Sequence, residues 1–179
     1  MTKQKIIKEI IEWTLTIVIP VVAALLIHQY LFTFARVDGD SMLDTLHENN
    51  IMGVSRLHYR LNEPQRGEII TCNYPGEGNK LFVKRIIGLP GETVELRAGT
   101  VYINGEPIDE PYLTRVSGDD FGPYQVGEDE VFVMGDNRPV SRDSRSVGAI
   151  SLDDLYGRVL FVAYPFNEIR STMDVPQYE

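Results

Sequence analysis

The chain has 179 residues and a formal net charge of −9 at pH 7. That length bounds it to one domain with a small appendage, and its acidity argues against nucleic acid as a partner, because phosphate backbones draw Lys and Arg. Cys72 is the single cysteine, so there is no internal disulfide; CxxC pairs and Cys/His zinc spacings are absent, and neither a metal nor a cofactor is expected.

Lys3, Lys5 and Lys8 form a basic head. From Trp13 to Ala35 there is no Asp, Glu, Lys or Arg, and the central run LTIVIPVVAALLIHQYLF is close to the roughly 20 residues that cross a bilayer. Pro20 is tolerated in a membrane helix. Trp13 at one end and Tyr30, Phe32 and Phe34 at the other read as interface anchors. A cleavable secretory signal shares the basic head, but this run is too long and no small-residue cleavage site follows it. The lysines place the N-terminus in the cytoplasm and everything after Arg36 outside, beside the lipid bilayer. The expected division is a cytoplasmic head and transmembrane anchor over 1–35, then an extracytoplasmic domain over 36–179.

In that second part short apolar runs alternate with turns, and the chain carries 15 Gly and 10 Pro, which favours a mainly β, antiparallel fold. Strands are predicted over 51–57 and 68–74, the second joined as a hairpin through Pro75–Asn79 to a strand starting at Leu81. Short strands follow at 94–96 and 101–103. Asn104-Gly105, ahead of Pro107-Ile108, predicts a type I′ hairpin. Residues 97–130 form a small inserted excursion, polar and irregular from Asp109 on. A strand at 131–134 feeds the charged loop GDNRPVSRDSR, Gly135 to Arg145. Ser151 caps a single helical turn over 152–155. A last strand covers 158–164, and the tail after Pro165 is polar.

The stretch LFVKRIIGLPGE, Leu81 to Glu92, carries the chemical argument. Side chains alternate across a strand, so Lys84 shares a face with Phe82 and Ile86, while Arg85 joins Leu81, Val83 and Ile87 on the other. Burial disfavours an ammonium and lowers its pKa, and a neutral lysine is a general base. The alternative is a lysine that snorkels from a half-exposed strand; the pattern alone leaves both open. A triad of Ser41, His58 and Asp136 has no support in the spacing, and there is no GxSxG elbow. His47 and His58 read as surface residues.

GDSMLDTL (39–46), KRIIGLPGE (84–92) and GDNRPVSRDSR (135–145) stand in order, with RGEII (66–70) between the first two. Together they resemble the motifs of bacterial type I signal peptidases, the membrane-bound Ser/Lys proteases that remove signal peptides; the Gly39 position is Gram-positive-like. The resemblance covers most of the chain, from about Lys3 to Pro165. It implies an antiparallel β domain of the signal peptidase and LexA-like kind. It also implies a serine endopeptidase with Ser41 as nucleophile, Lys84 as general base and Ser141 orienting the lysine amine. Asp136, Arg138, Asp143, Arg145 and Arg85 read as structural support of the site, with Arg85 neutralised by Asp143 or Asp136. Val37, Met42, Phe82 and Val83 flank the pair and are expected to line pockets for small substrate side chains.

The expected substrates are exported preproteins, met at the membrane near the secretion translocon. Asp44 departs from the family pattern, which has proline there; a carboxylate near the pair would raise the lysine pKa. Some relatives lack the pair and serve in surface-structure (pilus) assembly, so a catalytically weak or specialised paralogue is the alternative. A self-cleaving LexA-like repressor fails on the membrane segment and on the missing basic DNA-reading domain.

Overall fold

The structure is a computed structural model and describes residues 3–26, 31–78 and 80–174. Helix α1 spans Lys3–Leu26. Apolar side chains stand exposed on every side of it, among them Ile11, Trp13, Ile17, Ile19, Val21 and Leu25. Among the described residues no helix is long and apolar enough to cross a membrane. The single span expected over Trp13–Ala35 is corrected accordingly. The uncharged part of α1 stops at Leu26; His28 and Tyr30 lie outside the described residues; and strand β1, Phe32–Arg36, takes the end of the run. The reason is local. FTFAR alternates and pairs antiparallel along β2, Ile51–Ser55, from Phe32 opposite Ser55 to Arg36 opposite Ile51. Phe32 therefore works as a sheet residue, its ring stacked on Phe161 with centroids 5.9 Å apart, and not as an interface anchor.

After β2 come a helical turn α2 (His58–Leu61), β3 (Ile69–Asn73) and β4 (Leu81–Gly88). A smaller unit follows with β5 (Thr93–Arg97), β6 (Thr100–Ile103), β7 (Glu106–Pro107) and β8 (Phe121–Gln125). The chain closes with β9 (Glu130–Met134), α3 (Ser144–Val147), β10 (Ile150–Ser151), β11 (Leu155–Tyr164) and β12 (Arg170–Ser171). The main sheet has eight strands in the order β1-β2-β11-β3-β4-β9-β10, with β12 beside β11. The second sheet has four, β7-β6-β5-β8. Every pairing is antiparallel.

The predicted β3–β4 hairpin forms, with Ile70 opposite Lys84. Asn104 (φ 53°) and Gly105 (φ 89°) make the predicted turn between β6 and β7. Ser151 caps a 3-10 turn at Leu152–Asp154 by accepting from Asp153 N–H. Strand β8 was expected to be irregular chain. It is a strand because β5 supplies the ladder, Val94 opposite Tyr124, while its own sequence FGPYQ shows no alternation.

Both faces of β4 are covered. Phe82 and Ile86 pack with Ile70, Cys72 and Val133 on one side, and Ile87 joins Val94, Leu96 and Phe132 on the other. That is why the two consecutive cations Lys84 and Arg85 are both buried.

Candidate active site

Ser41 begins a tight set of turns between β1 and β2. Gly39, at φ +89°, holds a left-handed conformation that glycine adopts without steric cost. Met42 and Leu46 are buried to 1% and 0% exposure and pack with Met52, Val54 and Ile69. Each such burial contributes roughly 1.5–3 kcal/mol, so the residues after Ser41 pin its loop to the main core.

Lys84 is 3% exposed, and its Nζ donates to Val83 O at 2.9 Å and lies 2.7 Å from Ser41 Oγ. Burial lowers its pKa from the ordinary lysine value, against the opposing pull of Asp143, Cys72 and Asp136. Across 2.7 Å a neutral amine can take the hydroxyl proton directly. Burial also pushes the Cys72 thiol up to about 12, so Cys72 sits in the core as a thiol, not as a rival nucleophile.

The loop from Gly135 to Arg145 presses on the same spot. Asn137 donates from its backbone N–H to Ser41 O at 3.0 Å and from Nδ2 to Asp40 O at 3.0 Å. A Cβ at Gly135 would stand 2.4 Å from Ser41 O and 2.3 Å from Ser141 Oγ, so only glycine permits this approach. Asp143 accepts from Gly135 N–H (3.1 Å) and from Arg145 Nε (2.8 Å) and Nη2 (2.9 Å), and it caps α3. Arg145 also donates to Arg138 O at 2.8 Å. Arg85 forms a bidentate pair with Asp136, Nε to Oδ1 at 2.9 Å and Nη2 to Oδ2 at 2.6 Å, so its partner of the two expected is Asp136. Arg138 donates to Gly135 O and pairs with Glu110. Burial works against the Arg138 charge, but the hydrogen bonds and charge of Glu110 outweigh it and raise its pKa.

Three expectations are corrected. The hydrogen bond from Ser141 to the amine is not formed: Ser141 Oγ is buried and has no partner among the described residues. Asp44 does not face the lysine. Its carboxylate accepts from Thr114 Oγ1 at 2.5 Å and lies 3.4 Å from Arg115 Nη2, and the carboxylates acting on Lys84 are Asp143 and Asp136. His58 is not a surface residue; its ring sits 3.3 Å from the buried Glu68, which also pairs with Arg158 at 2.9 Å. Its carboxylate contact is Glu68 and not Asp136, and the group at Ser41 Oγ is Lys84.

A cleft of about 630 Å³ opens beside the pair, lined by Ser41 and Lys84 and by all four expected pocket residues, Val37, Met42, Phe82 and Val83. Sequence reasoning missed Asn137, Glu110, Tyr112 and Thr114. Asn137 lies within a quoted motif of which Ser141 and the charged residues were weighed; the other three carry no periodic signal and are placed only by the fold.

The model for the family described as "Signal peptidase, peptidase S26" matches residues 10–164. The chain is 45% identical to signal peptidase I S of Bacillus subtilis (strain 168), with 92% of this chain and 95% of that protein covered. It is 42% identical to signal peptidase I T of the same strain, over 96% and 94%. A crystal structure of a signal peptidase I from Enterococcus faecalis V583 is 38% identical, with a TM-score of 0.49, over 54% of this chain and 97% of that one.

Proposed function

This chain belongs to the signal peptidase family, peptidase S26, and is an enzyme of the signal peptidase I kind; from that premise we propose that it cleaves exported preproteins after their signal peptides with Ser41 and Lys84 as a catalytic pair. The observation that carries this reading is the buried Lys84 Nζ, 2.7 Å from Ser41 Oγ.

The neutral amine takes the Ser41 proton as Oγ attacks the scissile carbonyl. The backbone N–H of Ser41 supplies one donor to the oxyanion. The resulting ammonium protonates the leaving amine, and the C–N bond breaks to leave an ester on Ser41. A water then loses its proton to Lys84 and attacks the ester, and Lys84 returns that proton to Oγ. Val83 O fixes the amine throughout, and the Gly135–Arg145 loop, with Asp136, Arg138, Asp143 and Arg145, holds Ser41 from the other side.

Substrate binding has a natural place. Leu81, Phe82 and Val83 pair with β3 on one edge, whereas β9 pairs with β4 only from Arg85 onward. An extended peptide laid along that open edge in the cleft gains backbone hydrogen bonds. Val37, Met42, Phe82 and Val83 then offer shallow apolar contacts that suit small side chains at the first and third positions before the cut. The apolar side chains exposed all around α1 support attachment to a lipid bilayer, with the catalytic domain at its surface.

The test is cleavage of a purified preprotein in detergent. Ser41→Ala and Lys84→Met are each expected to abolish it while circular dichroism and Tm stay those of a folded protein. Retained cleavage in either variant would remove the pair from the mechanism.

A further inference from the structure

Between β7 and β8 the chain leaves the small sheet, turns at Glu110–Leu113 with Leu113 N–H donating to Glu110 O, and runs past the site, where Arg115 lines the cleft. Three side chains of this segment reach into the catalytic loops. Glu110 holds Arg138 with both carboxylate oxygens, and their side chains are 6% and 1% exposed. Tyr112 donates its hydroxyl to Glu110 at 2.6 Å and lays its ring 3.8 Å from the Arg85 guanidinium. Thr114 donates to Asp44, three residues beyond the nucleophile.

These contacts converge on one turn. Arg85 clamps Asp136, and Arg138 donates to Gly135 O. Between Asp136 and Arg138 lies Asn137, which grips Ser41 O and Asp40 O. The segment therefore fixes residues on both sides of Asn137 and, through Asp44, the far end of the serine loop. None of its side chains touches Ser41 Oγ or Lys84 Nζ. We propose that residues 110–115 are a positioning strap that sets the Ser41 hydroxyl against the Lys84 amine, with Glu110, Tyr112 and Thr114 as positioning residues. The proposal rests on the Ser41–Lys84 reading above. A small error in the approach of two reacting groups costs rate and not binding, so the strap acts on kcat.

The experiment measures kcat, KM and Tm of the full-length protein in detergent on a signal-peptide substrate. Thr114 is exposed, so Thr114→Val removes its hydrogen bond without opening the core. Tyr112→Phe keeps the ring over Arg85 and removes the bond to Glu110. The double variant is expected to lose kcat by about tenfold or more, with KM changed less than about twofold and Tm held. Thr114→Ser, which keeps a hydroxyl, is expected to restore the Thr114 share. Glu110→Gln is the severe variant and risks the fold by leaving Arg138 buried without its partner; the Thr114 and Tyr112 variants decide the matter without it. Unchanged kcat in the double variant, or a loss that tracks Tm or KM, overturns the strap while Ser41→Ala remains inactive. Cleavage that persists in Ser41→Ala would instead sink the underlying pair.

Discussion

Lys84 lies on a strand covered on both faces, and the water it lacks favours its neutral amine. Its pKa in the folded chain falls below the unfolded value. Between those two values the unfolded chain binds one more proton than the native one, so this residue makes stability rise with pH across that window. Below the folded pKa the native state carries the full cost of a buried ammonium. Activity follows the same ionisation: kcat is expected to climb with pH as the amine loses its proton, along a limb below the pKa of about 10.4 of a free lysine. The charges that shape this limb are Asp143 and Asp136, and Asp44 is engaged with Thr114 and Arg115. Asp44→Asn is therefore expected to leave the limb unmoved. Side-by-side pH–rate profiles check this; a limb displaced to lower pH in the variant would show that the Asp44 charge reaches the amine after all.

At the scale of elements, the decisive contact is between two loops. The turn after β9 meets the serine loop through Gly135, where a Cβ would strike Ser41 O and Ser141 Oγ. Gly135→Ala must push Ser41 away from Lys84, and a misplacement on the order of 1 Å costs about a hundredfold in rate. A kcat/KM close to that of the parent protein would show that the loops part without moving the hydroxyl. Much of this site was legible beforehand: Ser41 and Lys84 stood in ordered motifs, and strand alternation put Lys84 between Phe82 and Ile86. The hairpin of β3 and β4 and the Asn104-Gly105 turn were legible because their signals are local. What escaped was long-range. Strand β8 exists only through its ladder with β5, and Tyr112 matters only because the chain brings it over Arg85. The hydroxyl of Ser141 was assigned to the amine by resemblance, and in the fold that amine is taken by Ser41 and Val83 O.

For the molecule as a whole, the informative boundary is the one between α1 and the sheet. The uncharged run Trp13–Ala35 looks uniform in sequence, yet its first part is a helix with apolar side chains exposed on all sides and its end is strand β1. The two parts have different tasks. The described apolar side chains of the helix are exposed and not buried against the sheet, so a chain starting at Leu31 is expected to stay in solution without detergent and to keep the Tm of the full-length protein. Strand β1, in contrast, covers one edge of β2, whose Met52 and Val54 are fully buried, and supplies Phe32 to the stack on Phe161. A chain starting at Val37 turns β2 into an open edge and uncovers that stack. At about 2–4 °C per kcal/mol for a domain of this size, the loss of this strand is expected to lower Tm by roughly 5 °C or more. Thermal unfolding of the two truncated chains measures the difference; equal Tm values would assign β1 to the anchor and not to the fold.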